Sequence, residues 1–423
     1  MVCPDPPHTT PPYHLWQLMH IVIIGGGAAG FFAALSAKAH SPTAHVVLLE
    51  KGNKLLAKVR VSGGGRCNVT HHLLEPRKLA QHYPRGGKFL RKAFDRWSVK
   101  DTIAWFEGRG VQLKTEEDGR MFPVTDSSQT IIDVLVKEAL RLGVDVKLNC
   151  GVKALEPTAT GFSLLLDDGG TLASDRVIVT SGGHPKVDGY GWLAALGLPI
   201  VPPAPSLFTF NLINKSMAGL MGVVAPQAIV RIPAMKLEAA GPVLVTHWGL
   251  SGPAVLRLSA WGARELQAVQ YRYIVHVNWI GLKEEAARIA LNEAWEANPK
   301  KQAINGCPFA LPDRLWAFLL SKSGIAAAKP CADVGKHDRN RLLDILVNEK
   351  HPAQGKTTFK EEFVTAGGVA LEAVDPQTLQ CTTIPGLFFA GEVLDIDGIT
   401  GGFNFQAAWT TGWIAGKNAV GPT

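Results

Sequence analysis

The stretch HIVIIGGGAAG, residues 20–30, decides the fold of this chain. His20–Ile24 is a short apolar run rich in β-branched residues, which predicts a buried strand, and the Ala-rich segment after residue 30 predicts a helix. In the turn between them, Gly25 allows a tight bend, Gly27 lets the backbone approach a pyrophosphate, and Gly30 lets the helix pack close to the strand. This spacing in this context predicts a dinucleotide site, with a Gly-rich structural turn as the alternative.

A second apolar strand, His45–Glu50, completes a strand–turn–helix–strand unit. It ends in Glu50, twenty residues after Gly30, where a carboxylate accepts hydrogen bonds from ribose hydroxyls and repels a 2′-phosphate. This unit alone does not separate FAD from NAD.

The C-terminal end of the chain supplies the second half of the pattern. Gly386–Glu392 is an apolar strand that ends in Gly–acid, and residues 395–404 form a Gly-rich turn before a helix from about Gln406. In FAD folds related to glutathione reductase, such a strand returns to the cofactor, and the next helix start points at the flavin edge that becomes negative on reduction. Both ends together favour FAD, with a plain strand–turn–helix as the alternative.

A third motif, SGGGRCNVT at residues 62–70, lies in a predicted long loop, Lys51–Thr70. Successive glycines allow a ligand to approach the backbone closely. Arg66 can pair with phosphate, and Asn68 can both donate and accept hydrogen bonds. Cys67 is interpreted as a packed, inert thiol. A buried structural loop is the alternative interpretation of the motif.

The chain divides into an α/β domain interrupted by an insertion. Three prolines at positions 202, 203 and 205 mark a crossing between the domains. The expected division is an N-terminal extension at 1–18, a first part of the α/β domain at 19–196, an insertion at 197–353 that is β-rich to about 280 and helical from about 281, and a closing part at 354–423.

Composition and charge narrow the function classes. The 423 residues are 46% hydrophobic and 19% charged, which is typical of a globular protein. The net charge of +7 fits a nucleic acid, a membrane surface, an anionic small ligand or an ordinary solvated surface, and no run of five Lys or Arg occurs. No apolar stretch of membrane-spanning length occurs, so no membrane span is expected. The six cysteines form no CxxC pair, which argues against a zinc or dithiol centre and favours a reducing, cytoplasmic compartment.

The runs SGGGRCNVT (62–70) and GEVLDIDGITGGFNFQAA (391–408), with the segments around them, resemble one bacterial flavoprotein family. This is the family of BaiN-like NAD(P)/FAD-dependent oxidoreductases, also described as aminoacetone oxidase-like FAD-binding flavoproteins. The resemblance spans nearly the whole chain from Met19. It implies a glutathione-reductase-type, Rossmann-like FAD-binding α/β domain with an inserted β-barrel plus helical domain. Phe403 departs from the family pattern, because many relatives carry Tyr there.

The motifs and the resemblance together predict the cofactor-binding residues. They predict no metal site, and they identify no catalytic acid or base. The candidate FAD contacts are Gly25, Gly27, Ala28, Gly30, Glu50, Lys51, Gly64, Arg66, Cys67, Asn68, Val152, Gly391, Glu392, Gly401, Gly402, Phe403 and Asn404.

The expected function is an FAD-dependent oxidoreductase that passes a hydride through flavin N5, from NAD(P)H to a small organic acceptor such as an enone. No second GxGxxG unit occurs, so NAD(P)H is expected in a cleft between the domains. Thr246–Pro253 opens a helix and either presents N–H groups to an anion or is a simple capped helix start. The alternatives are an FAD-dependent RNA-modifying enzyme, suggested by the charge, and a flavin-binding redox protein without turnover.

Overall fold

The computed structural model describes residues 18–357 and 364–421. The expected N-terminal extension, apart from Leu18, lies outside the described residues. The first part of the α/β domain contains β1 (His20–Ile24), α1 (Ala28–His40), β2 (His45–Leu49), α2 (Ala57–Gly65), β3 (Thr70–His71), α3 (Pro76–Ala80), α4 (Gly87–Phe94), α5 (Val99–Glu107), β4 (Leu113–Thr115), β5 (Arg120–Pro123), α6 (Ser128–Arg141), β6 (Asp145–Lys147), β7 (Val152–Pro157), β8 (Phe162–Leu166), β9 (Thr171–Ser174), β10 (Arg176–Val179) and α7 (Gly191–Ala194).

The insertion and the closing part follow. The next elements are β11 (Ile200–Ser206), β12 (Thr209–Leu212), β13 (Val224–Ile232), β14 (Leu237–Val245), β15 (Gly249–Ser251), α8 (Pro253–Trp261), α9 (Ala263–Ala268), β16 (Arg272–Asn278), α10 (Glu284–Ala297), α11 (Asp313–Ser323), α12 (Lys336–Asn348) and β17 (Glu349–Thr357). The described chain closes with β18 (Val364–Val369), β19 (Leu387–Phe389) and α13 (Phe403–Ala419).

A five-stranded parallel sheet organises the α/β domain. Its strand order is β19-β10-β1-β2-β6, with β1 in register between β2 and β10. Strands β1, β2, β10 and β19 are almost entirely buried, as their continuous apolar runs require, whereas the edge strand β6 is partly exposed. Because all five strands are parallel, the turns after β1, β2, β10 and β19 meet at one edge, where ligands of open α/β sheets bind.

Helices α1 and α13 pack side by side through glycines. A Cβ on Gly412 would lie 2.4 Å from the carbonyl oxygen of Ala29, and one on Gly416 would lie 2.1 Å from that of Ala33. Both pairs advance in the same direction along the chain, so the helices run parallel. With a rise of 1.5 Å per residue, α13 begins about 12 Å before α1 along their common direction. The two helix starts are therefore offset along one face of the domain.

The insertion is a closed barrel with helices packed against it, in agreement with the predicted fold class. The barrel order is β12-β15-β14-β13-β16-β17. Its core continues into the helical part through the buried side chains of Trp279, Trp295 and Trp316. The last barrel strand, β17, crosses the boundary expected between residues 353 and 354. Strands β11 and β18 pair antiparallel outside the barrel, between it and the α/β domain. Among the described residues, no helix is long and apolar enough to cross a membrane.

Candidate active site

A cleft of about 560 Å³ lies between the two domains at the carboxyl edge of the sheet. This volume falls within the range of roughly 300–1,000 Å³ that is usual for ligand pockets. One wall, the α/β wall, consists mainly of glycine turns and the starts of α1 and α13. The opposite wall, the insert wall, contains Leu207, Thr209, Ser251, Leu256 and Thr357.

The three glycines of the first turn have different reasons to be glycine. A Cβ on Gly25 (φ +120°) would lie 2.5 Å from the carbonyl oxygen of Thr180, and one on Gly30 would lie 1.9 Å from that of Gly25. These two positions are required by the fold. A Cβ on Gly27 would meet no described atom within 4 Å, because Gly27 faces the cleft. Open space at this glycine is what a bound pyrophosphate requires.

The start of α1 is built to receive an anion. Gly27 is the N-cap, no side chain caps it within the described residues, and the first turn carries no acidic residue. The free N–H groups and the positive end of the helix dipole therefore face the cleft. Thr180 Oγ1 lies 2.9 Å from the carbonyl oxygen of Gly25 and 3.0 Å from that of Ile24, which fixes the turn.

Backbone N–H groups hold the carboxylate of Glu50 at the cleft. Oε2 accepts from the N–H of Gly26 at 2.8 Å, and Oε1 accepts from the N–H of Gly52 at 2.7 Å. Each oxygen retains a second lone pair, so the carboxylate can still accept from ribose hydroxyls. Ribose binding at this position stays a prediction.

The turn after β19 is tied to three other elements. Gly391 has φ +76°, and its N–H donates to Thr411 Oγ1 at 2.9 Å. Glu392 Oε2 accepts from Lys58 Nζ at 2.6 Å, while Oε1 accepts from the N–H of Thr365 at 2.8 Å. Glu392 therefore links the turn to α2 and β18.

The turn before α13 packs against residues 62–70, which we call the glycine loop. Gly401 and Gly402 have φ values of +124° and +92°, and a Cβ on Gly402 would lie 2.5 Å from the carbonyl oxygen of Thr70. With its amide oriented to match its neighbours, Asn68 Oδ1 accepts from the N–H of Gly402 at 3.0 Å. Its Nδ2 donates to the carbonyl oxygen of Thr70 at 3.0 Å. Asn68 thus holds two motifs together at the cleft.

Like α1, helix α13 begins without a side-chain cap in the described chain and without an acid in its first turn. The Asn404 side chain holds the preceding turn, because it accepts from the N–H of Gly398 at 2.8 Å and donates to the carbonyl oxygen of the same residue at 3.0 Å. The cleft therefore receives the positive ends of two helices, offset along its length. This arrangement fits a long ligand with one anionic centre in the middle and another at one end, as FAD has when its flavin is reduced.

The glycine loop places its arginine away from the cleft wall. Arg66 pairs with Glu116 at 2.7 Å and with Asp126 at 3.5 Å, and its guanidinium lies 4.0 Å from the ring centroid of Phe122. Arg120 lines the cleft, and its guanidinium pairs with Glu116 at 2.8 Å and with Asp118 at 2.7 Å. The geometry gives Arg66 two carboxylate partners, and phosphate binding by Arg66 stays a prediction.

Cys67 is a packed thiol, as interpreted from the sequence. It is fully buried, and burial raises its pKa to about 12. The thiolate that redox or nucleophilic chemistry needs is absent at neutral pH.

Ten of the nominated residues line the cleft: Gly25, Gly27, Ala28, Glu50, Asn68, Gly391, Glu392, Gly401, Gly402 and Asn404. The structure places seven others outside its lining: Gly30, Lys51, Gly64, Arg66, Cys67, Val152 and Phe403. Gly30 packs inside the first turn, and Phe403 is buried and stacks on His71 and His82.

Other cleft residues were not nominated from the sequence. On the α/β wall they include Lys54, Lys58, Ser62, Arg120 and Thr180. Lys54 and Lys58 stand in the segment Lys51–Thr70, which the sequence predicted as a long loop, and Lys58 lies in α2. The insert wall carries no motif, since its residues come together only when the barrel folds.

A parallel sheet with a GxGxxG turn, a carboxylate directly after β2 and a second helix start on the same cleft is typical of flavin-dependent oxidoreductases with a Rossmann-type domain. Residues 19–418 match the family described as HI0933-like protein Rossmann domain. The chain therefore belongs to this family of FAD-binding oxidoreductases, as the resemblance in its motifs implied.

Two relatives of known name are similar over almost their full length. The chain is 30% identical to the ribosomal RNA dihydrouridine synthase of Escherichia coli (strain K12), over 94% of this chain and 97% of the relative. It is 28% identical to the 3-dehydro-bile acid delta(4,6)-reductase of Clostridium scindens, over 95% and 98%. Among solved structures, the 3-ketosteroid-delta4-(5alpha)-dehydrogenase of Rhodococcus jostii RHA1 is similar in fold, with 14% identity, a TM-score of 0.50, and coverage of 97% of this chain and 99% of that one.

Proposed function

We propose that the protein reduces a carbon–carbon double bond conjugated to a carbonyl group, with FAD as cofactor and NAD(P)H as electron donor. The observation that carries this proposal is the two-walled cleft, whose α/β wall has the features of an FAD site. An acceptor between the walls would contact the cofactor on one side and the insertion on the other.

The names of the two relatives support this substrate class. Dihydrouridine is uridine with a reduced ring double bond, and that bond is conjugated to a carbonyl. A 3-dehydro-bile acid with delta(4,6) unsaturation is likewise a conjugated ketone. One reaction type, hydride addition to the far carbon and proton addition to the near one, covers both names.

The insert wall offers the groups that such an acceptor needs. When bound, FAD carries the hydride from donor to acceptor. Thr209 Oγ1 already donates to the carbonyl oxygen of Thr357 at 3.1 Å. Ser251 makes no side-chain hydrogen bond within the described residues, so its hydroxyl can donate to a substrate carbonyl. Leu207 and Leu256 supply apolar surface for a flat ring.

The donor is proposed to use the same cleft. The sequence holds no second GxGxxG unit, and Lys54 lines the cleft as a cation that suits a nucleotide phosphate. The five described cysteines are free thiols, which supports a reducing, cytoplasmic location.

The test is anaerobic absorbance spectroscopy of the purified holoprotein. We expect NADPH or NADH to bleach the flavin, and a conjugated ketone such as a 3-oxo-4-ene steroid to restore the oxidised spectrum. Bleaching without reoxidation by any conjugated carbonyl compound would remove the proposed acceptor class. A flavin that stays oxidised with both nucleotides would remove the proposed donor and favour a flavin-binding protein without this turnover.

A second candidate shares the chemistry but takes a uracil base in RNA as acceptor. The relative at 30% identity is named for this reaction. In the same assay, we expect RNA that contains accessible uridines to reoxidise the reduced flavin if this candidate is correct. Dihydrouridine should form at the same time.

A further inference from the structure

One segment holds the positive excess of the whole chain. Residues 76–100 contain eight Lys and Arg and one acid, Asp95, while the full chain has a net charge of +7. The acids that flank the segment have partners of their own. Glu75 pairs with Lys78 at 2.9 Å, and Asp101 accepts from the N–H and the hydroxyl of Ser98, each at 2.7 Å. The basic residues of the segment are Arg77, Lys78, Arg85, Lys88, Arg91, Lys92, Arg96 and Lys100.

Helix α4 turns part of this charge toward solvent. Its buried face consists of Phe89, Leu90, Ala93 and Phe94. Its exposed face carries Lys88, Arg91 and Lys92, at the i, i+3 and i+4 spacing that places side chains together on a helix. In the described part of the chain, no carboxylate forms a salt bridge with any of these three residues, which we call the α4 basic surface.

The loop that leads into α4 is attached to the wall of the cleft. In the loop before α4, the carbonyl oxygen of His82 accepts from the N–H of Ile399 at 3.0 Å, and Ile399 lines the cleft. Three residues later, Arg85 forms a buried ion pair with Asp397, in the same turn. Helix α4 begins at Gly87, immediately after these two contacts. The charged helix is therefore attached to the cleft wall by backbone and ion-pair contacts.

We infer that the α4 basic surface is an electrostatic docking surface for the phosphate backbone of RNA, positioned so that a base of the docked strand reaches the cleft. Several adjacent cations without protein partners are what a polyanion requires, because each neutralised phosphate releases condensed counterions. A membrane surface would also need large apolar side chains on the same face, whereas the exposed positions of α4 are Lys88, Arg91 and Lys92. The docking rests on charge and position alone, and the reaction of the base rests on the proposed function.

The test measures RNA binding by fluorescence anisotropy, with the holoprotein and a labelled single-stranded RNA of mixed sequence across a series of salt concentrations. The test variant combines Lys88→Gln, Arg91→Gln and Lys92→Gln. The control variant removes the same charge elsewhere through Lys283→Gln, Lys300→Gln and Lys301→Gln, three exposed lysines of the insertion.

We expect the test variant to bind RNA at least about tenfold more weakly at low salt. The slope of log K against log salt should become shallower by about two, since each phosphate contact to a single strand contributes about 0.7. The control variant should keep the wild-type slope. Equal slopes for wild type and the test variant would overturn the inference, as would wild-type binding to phosphatidylserine vesicles without binding to RNA.

A second readout separates this inference from the proposed function. Flavin reoxidation by a small conjugated ketone should be unchanged in the test variant, because the three residues lie outside the cleft lining. If the wild type reduces no conjugated carbonyl compound yet binds RNA with the expected slope, the proposed reaction fails and the docking surface stands.

Discussion

The α/β wall of the cleft is formed largely by backbone at glycine turns, whereas the insert wall is formed by the side chains of barrel strands, α8 and a connecting loop. On the first wall, the absence of side chains exposes N–H groups at two helix starts. On the second wall, Thr209 and Ser251 supply hydroxyls, and Leu207 and Leu256 supply apolar contact. Under the proposed function, the backbone conformation of the α/β wall recognises the cofactor and the side chains of the insert wall recognise the acceptor. Substitutions in the insert wall would then change the substrate and leave the FAD site intact.

The largest expected effect comes from a substitution that disrupts the α/β wall. Gly30→Ala should destabilise the α/β domain by about 3 kcal/mol and abolish FAD retention, because its Cβ would lie 1.9 Å from the carbonyl oxygen of Gly25. Gly27→Ala is the matched control, since its Cβ meets no described atom within 4 Å. It should leave urea unfolding of the apoprotein unchanged and weaken FAD binding. Equal unfolding midpoints for both apo variants would contradict the division of roles between these glycines.

The next effect concerns a buried ion pair of the α/β domain that also contacts the insertion through Ser206. Asp397 is fully buried, pairs with Arg85 and accepts from Ser206 Oγ at 2.7 Å. Burial raises its pKa, and Arg85 opposes that shift by stabilising the carboxylate. Asp397→Asn leaves a buried arginine without its charge partner. We therefore expect the free energy of unfolding, measured by thermal denaturation, to fall by about 3 kcal/mol.

Asp395→Asn is the control for this ion pair. Asp395 pairs with Arg264 at 2.8 Å, and the Arg264 side chain is 44% exposed. Asp395 itself is 13% exposed and also accepts from the N–H of Gly367 at 2.8 Å, but the partly solvated Arg264 loses less than a buried arginine when its partner is removed. This variant should therefore lose less stability than Asp397→Asn. A larger loss for Asp395→Asn than for Asp397→Asn would show that the buried pair is not the stronger of the two.

A smaller effect tests the role of the insert wall in binding the acceptor. Ser251→Ala should lower the rate of flavin reoxidation by a conjugated ketone about fivefold, the cost of one hydrogen bond. The rate of flavin reduction by NADPH should not change. Ser251→Thr retains the hydroxyl and should restore most of the reoxidation rate. A slower reductive step in Ser251→Ala would instead place this residue on the donor side.

The smallest expected effect is that the thiol of Cys67 does not react with an alkylating reagent. Cys67 should resist alkylation in the folded protein, whereas the partly exposed Cys150 should be modified, as followed by mass spectrometry. Because the pKa of folded Cys67 is raised from 9.0 to about 12, its contribution to stability is present below pH 9 and lost as the pH rises toward 12. Rapid modification of Cys67 near neutral pH would show that the glycine loop opens.

The difference between the walls also explains how much the sequence could predict. Glycine turns are visible in one sequence, because the reason for glycine is local or involves a neighbouring strand, as at Gly25 and Gly30. Ten of the nominated residues accordingly line the cleft. The position of the Arg66 guanidinium depends on Glu116 and Phe122, which lie fifty or more residues away in the sequence. Its ion pair therefore could not be predicted from the motif.

Element boundaries were less accurate where local signals conflict. The predicted loop Lys51–Thr70 contains α2, although Ser62 and the next two glycines inside it have non-helical backbone angles. Helix α13 begins at Phe403, three residues before the predicted start, because the positive φ of Gly402 ends the turn there. Strand β11 contains the three prolines that predicted a crossing, and its pairing with β18 shifts register between Val201 and Ala204, which accommodates them.

Gly412 and Gly416 join the last helix to Ala29 and Ala33, which are synthesised almost a full chain length earlier. Until α13 emerges from the ribosome, the face of α1 that contacts it has no partner, and Phe32 lacks its contact with Trp409, whose ring centroid lies 4.6 Å away in the folded protein. A nascent chain stopped before residue 403 can form the first βαβ unit and the barrel but lacks one of the two helix starts at the cleft. We therefore expect cofactor loading to come late in biosynthesis, and we expect that free FAD does not rescue a chain that lacks α13.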